Sequence, residues 1–268
     1  MKSFSQVMQS LSGQTTDPSG NHQITASEDW AQGRATFGGL IAAIGNEAMR
    51  RLVPRDRPLR SLQTTFVGPA MAGGTLTVST KILRVGKAVV LAQCEIRDGD
   101  QIAATQVGVY GASRPSAVTF KPSPVPSPRA VADINEVRVQ PGVPAFMQHF
   151  AMRWAEGNKP FSGSPKAPSK AFIRHRDPEA GGESSVIALA DCIPTPALPM
   201  FSAPAPASSM TWTLELFEHQ FDFAAEAWWR IDSDVDAAGD GYVNQTSILN
   251  DPNGRPIAFS RQLCAIFN

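Results

Sequence analysis

The chain has 268 residues, which is enough for one large domain or for two domains of about 130 residues each. Its 24 basic and 24 acidic side chains cancel, so the charge balance gives no indication of a nucleic-acid partner or of an anionic membrane surface. No stretch reaches the ~18 consecutive apolar residues of a membrane span, and the polar N-terminus lacks the apolar segment of a signal peptide. The 3 cysteines have no C-x-x-C spacing, so we expect core residues of a cytoplasmic protein rather than disulfides or a zinc site.

The first half of the chain predicts one short strand, one helix and a run of long strands. Residues 21–26 favour a strand, and the apolar periodicity of residues 40–52 predicts a helix that ends before Pro54. Gly38 and Gly39 open this helix. Their missing side chains would let a ligand approach free backbone N–H groups, although a packing turn is the simpler alternative. Four β-rich runs follow up to residue 112, which indicates an α+β domain with the helix on one face of an antiparallel sheet.

Residues 113–145 separate this half from the next one. Prolines at positions 115, 122, 124, 126 and 128 favour a stiff, extended crossover. From residue 146 onwards the order of helix and strands returns, and Asn253-Gly254 marks a hairpin as Asp98-Gly99 does in the first half. The sequence therefore predicts an internal repeat, with domains at 1–112 and 146–268 and a linker at 113–145.

Asp191 follows the second helix, whose residues 186–190 are apolar on every side. Such a helix is usually buried, and we expect Ser184 and Ser185 to cap its start. A buried carboxylate needs hydrogen-bond partners, because its desolvation costs several kcal/mol. Asp191 therefore either reaches water at a frayed helix end or is enclosed by the fold and used.

Short motifs in both halves resemble those of a known family. They are Gly33-Arg34-x-x-Phe37-Gly38-Gly39, Phe66-x-Gly68-Pro69, Leu83-Arg84-x-Gly86-Lys87, Ala190-Asp191, Thr213-Leu214-Glu215, Gly239-Asp240-Gly241 and Ile257-Ala258-Phe259-Ser260-Arg261-Gln262. In this order, from about Trp30 to Phe267, the chain resembles the double-hotdog acyl-CoA thioesterases of the thioesterase II type. The resemblance implies two helix-wrapped antiparallel sheets, an acyl-CoA substrate and further association into a homo-oligomer.

The same resemblance implies three catalytic residues, which fall on Asp191, Thr213 and Gln262. The chain departs from the family after the threonine, where Glu215-Leu216 stands in place of a frequent Asp-His pair. In the first half, Gly45 or Asn46, Ser61 and Val107 occupy the corresponding positions. The first copy would then lack the acid and the amide, so we expect one active site per chain, with the first repeat forming walls.

These residue types suit the hydrolysis of a thioester by water. Asp191 can accept a proton from water, a contribution worth roughly 100- to 10,000-fold, and the Gln262 amide can hold the same water. Thr213 can orient either partner, and the helix start at Gly38 and Gly39 can donate to the thioester oxygen, where one such donor is worth ~3 kcal/mol. The chemistry requires no metal, no cofactor and no covalent intermediate, although an anhydride on Asp191 stays open.

The phosphates of CoA call for basic side chains. Arg174, next to the second helix, and Arg84 and Lys87, at a hairpin, are the candidates, with solvated surface as the alternative for each. Two other functions stay open at this point: a hotdog hydratase or dehydratase, and a non-catalytic protein that binds acyl thioesters. A dehydratase is expected to use a histidine, and neither predicted central helix carries one.

Overall fold

The computed structural model describes residues 1–12, 21–138 and 142–267. Residues 13–20, 139–141 and 268, which fall in the predicted first domain, linker and second domain, lie outside the described part.

Each half of the chain places strands around one helix. The first half consists of α1 (Phe4–Ser12), β1 (His22–Thr25), β2 (Ala31–Gln32), β3 (Ala35–Thr36), α2 (Gly38–Arg50), β4 (Leu59–Phe66), β5 (Thr75–Val85), β6 (Val89–Asp98) and β7 (Gln101–Gly111). The second half consists of β8 (Phe150–Glu156), β9 (Ser169–His175), α3 (Gly182–Ala190), β10 (Ala207–Leu216), β11 (Trp229–Gly239), β12 (Tyr242–Asn250) and β13 (Pro256–Ile266). The sequence predicts both central helices and the long strands, but it misses α1, β8 and the two-residue strands β2 and β3.

Within the described residues, eleven strands form one sheet in the order β1-β5-β6-β7-β4-β10-β13-β12-β11-β9-β8. The two halves meet where β4 pairs antiparallel with β10, with Thr64 opposite Trp212. β2 and β3 form a separate two-stranded sheet. The predicted α+β double hotdog, with both repeats sharing one long sheet, is therefore confirmed.

The two central helices pack against each other, and α2 also lies against β4 to β7 while α3 contacts β9. We call the side of the sheet that carries them the helix face and the opposite side the outer face. Alternate strand residues such as Leu62 and Leu214 point to the helix face and are buried there. Burial of each large apolar side chain contributes ~1.5–3 kcal/mol, so the core between helices and sheet holds the repeats together.

The start of α3 differs from the prediction. Ser184 and Ser185 do not cap this helix, because it already begins at Gly182 and its N-cap is Gly181. Gly182 has a φ of +73°, a conformation that glycine adopts without steric cost. The Ser184 hydroxyl lies inside the helix and donates to Glu47 of α2 at 3.0 Å, so it links the helices instead.

The proline-rich crossover lies against the second repeat. The described residues 113–138 contain one short 3₁₀ helix, Val131–Asp133. Arg230 donates to the carbonyl oxygen of Val125 and Arg153 to that of Val131, each at 2.6 Å. Both arginines therefore anchor the crossover. The exact domain limits stay a prediction.

None of the helices in the described ranges is long and apolar enough to cross a membrane.

Candidate active site

The Asp191 carboxylate lies where the two repeats meet. Asp191 is the C-cap of α3, and its backbone N–H bonds back to Ala188. A Cβ added to Gly38 would lie 2.9 Å from Asp191 Oδ2, and one added to Gly39 would lie 3.0 Å from the carbonyl oxygen of Ala188. The end of α3 in the second repeat is thus in close contact with the start of α2 in the first. Only glycine leaves room for this approach.

Gln262 reaches the same carboxylate from the sheet. Its Nε2 donates to Asp191 Oδ1 at 2.5 Å, although the two residues lie 71 positions apart in the chain. Gln262 stands on β13, is only 7% exposed and faces the helices. This contact brings together two of the three predicted catalytic residues.

A second glutamine extends the contact. Gln245 of β12 stands directly opposite Gln262 of β13 in the antiparallel ladder, on the same face. Its Nε2 donates to Gln262 Oε1 at 2.9 Å. The side chains of Gln245, Gln262 and Asp191 therefore form a continuous chain of hydrogen bonds that ends at the carboxylate.

Burial raises the pKa of Asp191 to about 7, while the Gln262 amide and the backbone N–H of Gly39 act in the opposite direction. Desolvation dominates because the carboxyl group lies at the helix–helix contact, although the residue as a whole keeps some exposed surface. The sequence predicts an upward pKa shift only if Thr213 and Gln262 do not donate to the carboxylate; Gln262 does donate, and desolvation still outweighs its effect. A carboxylate with a pKa near neutrality can both hold and release a proton under physiological conditions.

The start of α2 offers further donors. The first amides of this helix to bond within the backbone are those of Leu40 and Ile41, both to Phe37. The N–H groups of Gly38 and Gly39 precede them, where a helix leaves its donors without intrahelical acceptors; that of Gly39 is directed at Asp191, which leaves Gly38 as the further donor. The positive end of the helix therefore faces Asp191 and any group bound beside it.

Thr213 does not join this cluster, contrary to the expectation that three side chains converge on one water. Trp212 pairs with Gln262, and Thr213 pairs with Arg261. Since successive residues of a strand point to opposite faces, Thr213 points to the outer face, away from Gln262. The residue of β10 on the helix face is Trp212, whose indole N–H donates to the Ser260 hydroxyl at 2.8 Å.

The predicted basic residues are not brought to Asp191 either. His175 bonds to Ser185 of α3, so the neighbouring Arg174 points to the outer face, where its guanidinium lies 4.7 Å from the centroid of the Trp228 ring. Strand alternation again explains the difference.

Arg84 and Lys87 flank the β5–β6 hairpin. The first residue of β6, which follows that hairpin, pairs with Gly111 of β7. The N–H of Gly111 donates to the carbonyl oxygen of Pro58, the residue directly before β4. Gly38 instead packs against Phe66, where β4 ends. The length of β4 therefore separates this hairpin from the carboxylate.

The comparison of the two repeats needs one correction. Val107 pairs with Gln63 and Gln93 on the outer face, so it does not match Gln262. The neighbouring Gln106 lies on the helix face, is 1% exposed and donates to the carbonyl oxygen of Ile41 at 3.1 Å. The first repeat therefore has a buried amide after all.

The acid near the far end of α2 comes from the other repeat. Glu183, in the first turn of α3, accepts two hydrogen bonds from Arg50, one from Asn46 and one from the backbone of Leu59. The end of α2 and the start of α3 are therefore joined by the Arg50–Glu183 ion pair. At the corresponding contact between the end of α3 and the start of α2 stands Asp191.

Sequence reasoning missed Gln245. Its strand alternates between buried and partly exposed positions, and Gln245 stands between the buried residues Val243 and Ser247 on the helix face. A glutamine in that register is a signal that periodicity could have detected. Its partner, however, lies on another strand, which the spacing alone does not identify.

Comparison with known proteins gives the same architecture. Residues 26–111 match the family model described as the acyl-CoA thioesterase N-terminal domain, and residues 122–266 match that of the acyl-CoA thioesterase C-terminal domain. No curated protein sequence matches the chain.

Several solved structures share the fold over nearly the whole chain. A conserved protein of unknown function with a hotdog fold from Alicyclobacillus acidocaldarius superposes with a TM-score of 0.85 at 17% identity, covering 97% of this chain and 98% of that one. The TesB protein of Mycobacterium avium subs. paratuberculosis gives 0.79 at 14% identity over 99% and 100%. The acyl-CoA thioesterase II TesB2 of Mycobacterium marinum gives 0.74 at 13% identity over 94% of both chains. These superpositions establish the fold. The two matches to the N- and C-terminal domains show that the chain belongs to the acyl-CoA thioesterase family.

Proposed function

We propose that the protein hydrolyses an acyl-CoA thioester to the free acid and CoA, with Asp191 as the general base. The observation that carries this proposal is the hydrogen bond of 2.5 Å between Gln262 and Asp191, beside the start of α2. This contact places a buried carboxylate and an amide that can hold water beside the backbone donors of the helix start.

In the proposed reaction, Asp191 accepts a proton from water as the water oxygen attacks the thioester carbonyl carbon. The negative charge that develops on the carbonyl oxygen is stabilised by the N–H of Gly38 and the positive end of α2. The C–S bond then breaks, and the CoA thiolate leaves with the proton that Asp191 had accepted. The Nε2 of Gln262 carries two hydrogens, so it can orient the carboxylate with one and the water with the other, while its oxygen accepts from Gln245. Thr213 has no part in this step because it lies on the outer face.

The alternative of a non-catalytic acyl-thioester-binding protein makes a different prediction for Asp191→Asn. An enzyme should lose at least about 100-fold in turnover with a panel of acyl-CoA substrates and free-thiol detection, because the base is gone. A binding protein would show no turnover before the substitution and unchanged affinity after it. Thr213→Val is the matched control, and it should stay within about twofold of the unchanged protein, as surface substitutions usually do.

The pH dependence should report the same group. With an Asp191 pKa of about 7, kcat/KM should rise with pH up to about 7 and level off above it. A value of kcat/KM that is independent of pH between about 5 and about 8 would speak against Asp191 as the base.

Three features belong to the same proposal. The free and buried cysteines, Cys94, Cys192 and Cys264, suit a reducing cytoplasm. Hydrolysis of acyl-CoA would place the protein in lipid metabolism. We also propose a homo-oligomer, whose basis is given in the Discussion.

A further inference from the structure

We propose that Gln245 is a positioning residue, which fixes the end of the Gln262 amide that faces Asp191. The inference rests on the proposed role of Asp191 as a base. It concerns a residue that touches neither the carboxylate nor, in the proposed reaction, the substrate.

The orientation of the Gln262 amide matters because its two ends act oppositely on a carboxyl group. With Nε2 toward Asp191, as in the structure, the amide stabilises the ionised carboxylate. With Oε1 toward Asp191, the amide would accept a hydrogen bond from the protonated carboxyl and so stabilise the form that is useless as a base. The contact between Gln262 and Asp191 alone permits both arrangements, each matched to one protonation state.

Gln245 favours one of these two orientations, because it contacts the end of the Gln262 amide that points away from Asp191. Its Nε2 donates to Gln262 Oε1 at 2.9 Å, so a reversed Gln262 amide would present its NH₂ group to another NH₂ group. Both glutamines are 7% exposed, which leaves little water to compensate for the lost hydrogen bond. In a buried chain of hydrogen bonds, each aligned dipole also strengthens the next.

Cys264 supports the same orientation at the far end of the chain. Its Sγ lies 3.9 Å from Gln262 Oε1 and 4.0 Å from Gln245 Oε1. Burial raises the pKa of this thiol to about 11, so it carries its proton at neutral pH and can donate to either amide oxygen. Reversal of both glutamines together would turn two NH₂ groups toward this donor, which disfavours that arrangement as well.

The test is the titration of the Asp191 carboxyl in the full-length protein, followed by NMR with ¹³C-labelled aspartate and assigned with Asp191→Asn. The variant is Gln245→Met, which keeps the side-chain length and removes the donor. We expect its Asp191 midpoint to rise by about 0.5 pH unit or more, because the reversed amide becomes accessible and favours the protonated form. An unchanged or lowered midpoint would overturn the proposal.

Gln106→Met is the matched control. It removes another buried glutamine on the helix face, one that donates to Ile41 rather than to the Asp191 chain. Both substitutions should destabilise the protein, but only Gln245→Met should move the Asp191 midpoint. Equal shifts in the two variants would assign the effect to general loosening and contradict the proposal. If Gln245→Met does not fold, Gln245→Asn, whose shorter amide cannot reach Gln262, is judged by the same criterion.

Kinetics provide a second readout that separates this inference from the proposed function. In Gln245→Met the acid limb of kcat/KM should move to higher pH by the same amount as the NMR midpoint, with its plateau nearly retained. A merely structural role would lower the plateau without moving the limb. If the unchanged protein hydrolyses no acyl-CoA, the proposed function fails, while the NMR comparison still decides the role of Gln245.

Discussion

At the scale of single residues, the site depends on the absence of a side chain at the start of α2 as well as on the carboxylate of Asp191. Gly38 has no side chain, and Asp191 Oδ2 lies 2.9 Å from the place that its Cβ would take. The carboxylate can therefore approach the N-terminus of α2, where the helix dipole favours negative charge. Its pKa still rises to about 7, because desolvation outweighs these favourable contacts.

Gly38→Ala should impair catalysis more than folding. The added methyl group would also lie 3.2 Å from the Phe66 ring, so the carboxylate or the ring must move. Misplacement of a catalytic group by about 1 Å can cost on the order of 100-fold, while alanine itself suits a helix. We expect kcat/KM to fall by about 10- to 100-fold, with a thermal midpoint close to that of the unchanged protein.

Gly181→Ala is the control for this substitution. Gly181 is the N-cap of the other central helix, and its added Cβ would have no neighbour within 4 Å. Equal activity losses in the two variants would show that the contact with Asp191 is not the cause.

The raised pKa of Asp191 also predicts a stability effect. The folded protein holds this proton up to about pH 7, whereas the unfolded chain releases it near pH 3.8, the ordinary value. The free energy of unfolding therefore falls as the pH rises between these values and stays at the lower level above pH 7. Asparagine cannot ionise and avoids this loss.

Urea denaturation of Asp191→Asn and of the unchanged protein, at two pH values, measures this effect. We expect the variant to be more stable above pH 7 by on the order of 2 kcal/mol, with the difference shrinking as the pH approaches 4. An equal difference at both ends of this range, or a less stable variant, would contradict a raised Asp191 pKa.

At the scale of elements, the two central helices are joined by a polar network at one end. Arg50 of α2 donates from two nitrogens to Glu183 of α3, and their side chains are 20% and 14% exposed. Asn46 and the backbone N–H of Leu59 share the same carboxylate. Glu183 thus satisfies donors from α2 and from β4, so this pair holds the repeats in register.

Glu183→Gln should therefore destabilise the fold. Arg50 would keep its charge without its partner in a largely enclosed place, which we expect to cost about 2–3 kcal/mol of unfolding free energy. Activity per folded molecule should change little, because Asp191 lies at the opposite end of α3.

Glu95→Gln, in the more exposed pair with Arg97, is the matched control and should cost less than about 1 kcal/mol. Chemical denaturation of both variants gives the comparison. Similar losses would show that the Arg50–Glu183 pair has no special role in joining the helices.

At the scale of the whole molecule, none of the α-helices in the described part of the chain forms a layer on the outer face of the sheet. Apolar side chains remain on it in the second repeat: Phe259 of β13 is 42% exposed, and its ring lies 5.1 Å from that of Phe217. Exposed apolar surface of this kind is typical of sites where proteins associate.

We expect self-association on this basis, so light scattering at micromolar concentration should give a multiple of 28.7 kDa. Phe259→Ser should shift the distribution toward the monomer, whereas Thr213→Ser on the same face should not. A single species of 28.7 kDa for the unchanged protein would contradict the prediction.

The sequence by itself determined the architecture. Apolar periodicity, the hairpin glycines and the proline-rich crossover are local signals, and their repetition in two halves was enough to predict the paired helix-and-sheet units. The resemblance of short motifs led to Asp191 and Gln262, which the fold brings into contact.

Only the tertiary structure decided which side chains share a face. Thr213 and Arg174 each lie one position from a residue that faces the helices, Trp212 and His175, and a shift of one residue reverses the direction of a strand side chain. The same rule separates Gln106 from Val107. Gln245 entered the site through pairing across strands, and such register depends on the packed sheet rather than on the spacing of residues along the chain.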